Sequence, residues 1–100
     1  MAEDGVVSGW SVLVVDDDVI ICRCVERALK PAYQVSIATS GKEALERIVA
    51  RERFDVIVLD LMMPEMGGVQ FLGALAAVAP DQVEAVILMT GGAFTPDSIA

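Results

Sequence analysis

The sequence predicts an α/β domain, a doubly wound parallel sheet covered by helices on both faces. Three observations carry that expectation. Short runs of β-branched and aliphatic residues, Val12 to Val15, Val56 to Leu59 and Ala85 to Met89, have the pattern of strands buried on both faces. Segments with apolar residues at helical spacing separate these runs. The notable polar residues collect where the runs end: Asp16, Asp17 and Asp18 after the first, Asp60 after the third strand, and Thr90 after the fourth. Strands alternating with helices imply right-handed βαβ units, and such sheets bind ligands beyond the carboxyl ends of their strands.

Taken in order, Val12 to Val15 is the first strand. Val19 to Leu29 is the first helix, with Ile20, Cys24, Val25, Ala28 and Leu29 as its apolar face and Asp18 able to cap it. Pro31 stops it. Tyr33 to Ala38 alternates polar and apolar residues, as a half-exposed edge strand should. Thr39, Ser40 and Gly41 lead into a helix over Lys42 to Arg51 with Ala44, Leu45, Ile48 and Val49 on one face. Val56 to Leu59 is a buried strand ending in Asp60, and Pro64, Gly67 and Gly68 mark the loop after it. Val69 to Val78 is apolar enough to be a helix on a sheet, and Ala85 to Met89 is the fourth strand. Pro96 suits the first turn of a further helix, which the sequence leaves at Ala100.

A chain of 100 residues, 55% of them hydrophobic, can bury one core, so a single domain is expected. No apolar run approaches the roughly 20 residues of a membrane span. The acidic stretch before Trp10 lacks the form of a secretion signal, and the chain reads as cytoplasmic. Fifteen acidic residues against seven basic ones give a net charge of −8 with no histidine, which disfavours direct nucleic-acid binding. Cys22 and Cys24 point to different faces of a helix, so they are read as buried, reduced thiols. Without histidine or further cysteines a structural zinc site lacks ligands.

Carboxylates crowded at adjacent strand ends repel one another and are costly to desolvate unless a cation neutralises them. Magnesium suits such a place, because it takes one or two carboxylates and is completed by water and phosphate oxygens. The plainer alternative is that Asp16 to Asp18 cap the helix while Asp60 ends a strand in water. Met62, Met63 and Met66 are read as packing residues, since magnesium prefers oxygen.

Three motifs at their separations decide between these: Val14-Val15-Asp16-Asp17; Asp55-Val-Ile-Val-Leu-Asp60-Leu-Met-Met-Pro64-Glu-Met-Gly-Gly68; and Met89-Thr90-Gly91. Together they resemble the receiver domains of two-component signalling, the CheY-like family, from about Ser11 to the end. The resemblance implies a flavodoxin-like sheet of order 2-1-3-4, with residues 1–10 as a leader and 11–100 as the receiver. It makes Asp60 the phosphoacceptor, with a histidine kinase or histidine phosphotransfer domain as partner. Asp16, Asp17, Asp60 and the main-chain carbonyl of Met62 would hold magnesium. Thr90 would be the switch hydroxyl, while Pro64 and Gly68 would shape the loop, glycine by a backbone conformation closed to other residues. The chemistry agrees: a carboxylate can attack phosphorus and, being ionised near neutral pH, needs no base. Asp18 is expected to cap rather than to ligate.

The family pattern continues with a fourth helix, a fifth strand, a phosphate-binding lysine and a fifth helix. The sequence carries no match to these; its two lysines, Lys30 and Lys42, belong to the first two helical segments. Loss of that cation weakens phosphoryl transfer, and loss of the strand leaves the fourth strand as an open apolar edge that favours self-association. The stretch Met89 to Pro96 resembles receivers attached to hybrid sensor histidine kinases. Two other readings stand beside the phosphoacceptor. One is a truncated binding or dimerisation module without phosphotransfer. The other is a haloacid-dehalogenase-type phosphatase with Asp16 as nucleophile and Asp18 as acid, which leaves the motif around Asp60 unexplained.

Overall fold

The computed structural model describes residues 9–89. Its elements run β1 (Ser11–Val15), α1 (Val19–Leu29), β2 (Gln34–Ala38), α2 (Gly41–Val49), β3 (Val56–Asp60), α3 (Gly68–Val78), a 3-10 turn (Pro80–Ala85) and β4 (Val86–Met89). All strand pairs are parallel, and the order across the sheet is β2-β1-β3-β4. The doubly wound architecture and the strand order are as the sequence predicts, with β2 at one edge. Thr90 and the stretch Gly91 to Ala100 lie outside the described residues.

Side chains alternate across each strand, so one strand serves two cores. Leu13 and Val15 of β1 and Ile57 and Leu59 of β3 point to one face, where Ala44 and Ile48 of α2 and Phe71 and Leu75 of α3 cover them. Val12, Val14, Val56 and Val58 point to the other face, under Cys22, Val25 and Leu29 of α1. The 3-10 turn, which the sequence does not announce, is anchored by the buried Gln82. Its amide accepts from the Phe54 N–H at 2.8 Å and donates to the Phe54 carbonyl at 3.1 Å, so both backbone groups ahead of β3 are satisfied.

Several packing expectations need correction. Helix α1 meets the sheet through Cys22, Val25 and Leu29; Val25 and Leu29 lie on the expected face, whereas Cys22 takes the place of Ile20, Cys24 and Ala28. Ile20 is 74% exposed, and Cys24 and Ala28 are exposed as well. The helix carries apolar residues on two adjacent stripes, and only docking on the sheet selects between them. Both cysteines are free, but only Cys22 is buried. Val49 of α2 also faces solvent, and of the loop methionines Met63 is buried and Met66 half-buried, whereas Met62 is 73% exposed.

Asp18 caps α1 as expected, its carboxylate accepting from the Ile20 N–H at 2.9 Å and the Ile21 N–H at 3.3 Å. Ser40 does the same for α2, accepting from the Glu43 N–H at 3.0 Å. Asp18→Ala should cost about 1 kcal/mol, the usual value of such a cap. Urea denaturation checks it, and an unchanged midpoint would show that the cap contributes nothing.

Candidate metal and phosphoacceptor site

Parallel pairing of β1 with β3 sets Val15 beside Leu59. The residue after each pair member then emerges at the same end of adjacent strands: Asp16 past β1 and Asp60 at the close of β3. Asp16 is 3% and Asp60 7% exposed, while Asp17, one residue further on, is open to solvent. Asp16, Asp17 and Asp60 each offer a carboxylate oxygen, and the three oxygens lie within 4.8 Å of one another. An all-oxygen, acidic set at this spacing fits a hard divalent cation.

The loops on either side are tied down by the same carboxylates. Asp16 Oδ1 accepts from the Asp18 N–H at 2.9 Å, and Asp60 Oδ1 accepts from the Met62 N–H at 3.0 Å. Beneath them the Cys22 thiol donates to the Asp16 carbonyl at 3.2 Å. Burial pushes that thiol up to about 11, and the nearby Asp16 charge adds to the shift. The structure thus makes Cys22 an unreactive neighbour of the acid pair, which no sequence signal announces.

Burial also raises the Asp16 carboxyl above its ordinary range, and the Asp60 charge adds to this, while the bond from the Asp18 N–H works against it. A group whose folded value lies above its unfolded value binds its proton more tightly in the folded state. Its ionisation therefore lowers stability as pH rises from the unfolded value through the folded one, and the penalty is complete above that window. Asp16→Asn, which keeps the acceptor for Asp18, should therefore raise the thermal midpoint of the metal-free protein at neutral pH. The gain should shrink on acidification through the carboxylate range. A midpoint lowered by the substitution at pH 7 would contradict it.

Gly68 does not adopt the special backbone conformation expected of it. It opens α3 with an ordinary backbone, since Gly9 is the one glycine with positive φ among the described residues. What it supplies is room: a Cβ there would overlap the Leu61 side chain and come within 3.2 Å of the Leu61 Cα. Leu61 directly follows Asp60, so the close approach fixes where β3 ends. Pro64 is exposed and lines a crevice of about 100 Å³ with Asp17, Thr39, Ser40, Met63 and Met66, immediately beside the acidic cluster. Lys30 is the C-cap of α1 and Lys42 stands in the first turn of α2. Thr90 lies outside the described residues.

The family model of the response regulator receiver domain matches residues 12–99. The chain belongs to the response-regulator receiver family. Among curated proteins, the receiver is 45% identical over 76 residues to the transcriptional regulatory protein PrrA of Mycobacterium leprae, covering 75% of this chain and 32% of that protein. It is 36% identical over 89 residues to the transcriptional regulatory protein GlrR of Escherichia coli K12, covering 88% of this chain and 19% of that one. The chain thus spans a third or less of these relatives, and what their remaining parts do belongs to them. Among solved structures, the chemotaxis protein CheY4 of Vibrio cholerae superposes with a TM-score of 0.73 at 33% identity, covering 92% of this chain and 76% of that one. A receiver domain of Methanoculleus marisnigri gives 0.72 at 31%, covering 88% and 72%.

Membership overturns the phosphatase reading, and the geometry adds a reason. Asp18, which that reading needs as an acid, has its carboxylate engaged with two backbone N–H groups at the start of α1. Among the described residues of the receiver no helix is long and apolar enough to cross a membrane.

Proposed function

We propose that this receiver accepts a phosphoryl group on Asp60 from a histidine kinase or a histidine phosphotransfer domain, with magnesium at the acidic cluster. The observation that carries it is the convergence of three carboxylate oxygens within 4.8 Å at the carboxyl ends of adjacent parallel strands. Asp16, Asp17, Asp60 and the main-chain carbonyl of Met62 hold the ion in this reading. When bound, magnesium supplies charge neutralisation and in-line alignment of the transferring group. An Asp60 carboxylate oxygen forms the new bond to phosphorus as the bond to the donor nitrogen breaks, and the electron pair leaves with the imidazole. The Met62 N–H holds Asp60 Oδ1, which orients the carboxylate for attack. Thr90, as the switch hydroxyl, donates a hydrogen bond to a phosphoryl oxygen in this reading, while Pro64 and Gly68 keep the loop in shape.

The test is incubation with magnesium and acetyl phosphate, read by intact mass. One added phosphoryl group per chain is expected, and none when magnesium is chelated. No adduct in the presence of magnesium would overturn the reading. Binding of beryllofluoride is better followed by calorimetry than by tryptophan fluorescence. Trp10 precedes β1 and so lies at the far end of a five-residue strand from Asp16, about 20 Å away.

In the same reading residues 11–100 are the receiver and 1–10 a leader, and the protein acts in the cytoplasm as a signalling module rather than as a turnover enzyme. The charge of −8 sets it against direct contact with nucleic acid.

One observation favours a second activity, a binding or dimerisation role. Ile87 and Leu88 point to opposite faces of β4 and are 54% and 42% exposed, and β4 has no further partner strand among the described residues. An apolar edge of this kind pairs readily with another chain. Light scattering on the 100-residue chain should show a mass that rises with concentration. A monodisperse monomer at high concentration would exclude self-association.

A further inference from the structure

The acid pair depends on a turn of three residues, Asp16 to Asp18, between β1 and α1. Its start is held by the Asp16 N–H, which donates to the Ala38 carbonyl at 3.1 Å. Its middle is held by the Asp18 N–H on Asp16 Oδ1. Two further bonds come from one residue. The Cys22 N–H donates to the Asp18 carbonyl at 3.0 Å, and the Cys22 thiol donates to the Asp16 carbonyl at 3.2 Å.

The first of these is the ordinary helical bond and would survive any side chain. The second is peculiar to a short donor at this position. The Asp16 carbonyl belongs to the peptide plane that joins Asp16 to Asp17, so holding that oxygen fixes the plane and with it the direction in which Asp17 leaves the strand. Cys22 is fully buried in the apolar cluster with Val12 and Val14, where water cannot take over the carbonyl.

We propose that Cys22 is a positioning residue for the metal-binding pair, its thiol pinning the peptide plane between Asp16 and Asp17. The inference rests on the reading of that pair as magnesium ligands. Cys22 touches neither metal nor phosphate; it acts through the backbone of Asp16.

Three variants of the full chain test it. Cys22→Ala and Cys22→Val remove the donor, the second while filling the volume, and Cys22→Ser keeps a donor. Amide hydrogen exchange at Asp18 and the magnesium dissociation constant by calorimetry are the readouts, with the thermal midpoint as a record of stability. The donor-less variants should exchange the Asp18 amide faster and bind magnesium about three- to tenfold more weakly, within the range of one net hydrogen bond. Cys22→Ser should stay within about twofold on both measures, even though a hydroxyl in an apolar cluster lowers its midpoint. Unchanged Asp18 exchange in Cys22→Val, or a loss in Cys22→Ser equal to that in Cys22→Ala, would overturn the proposal. If the parent chain gives no heat with magnesium, the metal reading fails instead, and Asp18 exchange alone then decides whether Cys22 pins the turn.

Discussion

Asp60→Asn is expected to abolish formation of the phosphoryl adduct altogether. Asparagine keeps the Oδ1 that accepts from the Met62 N–H, so the loop after β3 has no reason to move. What it loses is the anionic oxygen, and a neutral amide is a poor nucleophile toward phosphorus. The same change removes one of three crowded carboxylates, so the metal-free protein should become no less stable while its affinity for magnesium falls. Intact mass after acetyl phosphate treatment gives the first result and calorimetry the second. Adduct formation persisting in Asp60→Asn would move the phosphoacceptor elsewhere, with exposed Asp17 the first residue to examine.

Phe71→Ala is expected to have the largest effect on stability. Phe71 is fully buried, the bulkiest side chain so enclosed among the described residues, and it sits in the core that Leu13, Ile57 and Leu59 share with α2 and α3. Truncating a buried phenylalanine costs about 3–5 kcal/mol, from lost transfer energy and the cavity left behind. A small domain has only about 5–15 kcal/mol in total, so a fifth or more of the stability should vanish. Urea denaturation would report it as a lowered midpoint with little change in slope. A loss below about 1 kcal/mol would mean that the core collapses around the gap, or that α3 does not pack as described. The effect should reach the site as well, because α3 begins at Gly68, against the backbone of Leu61.

Most of the architecture is legible in the residues. Short continuous aliphatic runs have the pattern of strands buried on both faces, and their alternation with helical segments leaves parallel βαβ units as the economical arrangement. The carboxylates that meet in space are those standing at the ends of such runs, so Asp16, Asp17 and Asp60 could be named before their distances were known. Asp18 could be assigned as a cap, because the capping bond is local.

What escaped the sequence depends on contacts between distant segments. The phase of α1 is one case. Val25 and Leu29 turn inward as the spacing predicts, but Ile20, Cys24 and Ala28 continue the same apolar stripe, and only the sheet determines that Cys22 is buried in their place. The role of Gly68 is another: its sequence setting pointed to backbone freedom, whereas the reason lies in the approach of Leu61 across the loop. Gln82 and its pair of bonds to Phe54 join segments 28 residues apart, and no periodicity reports such a bond.

The sequence by itself therefore determined the class of fold, the order of its elements and the carboxylates at their ends, because those follow from local patterning and from the rule that parallel strands present their carboxyl ends together. Only the tertiary structure decided which stripe of α1 is buried, why a glycine opens α3 and that a thiol stands beneath Asp16. Each of these is a matter of which atoms occupy the same few ångströms, and close packing between segments far apart in the chain leaves no local trace.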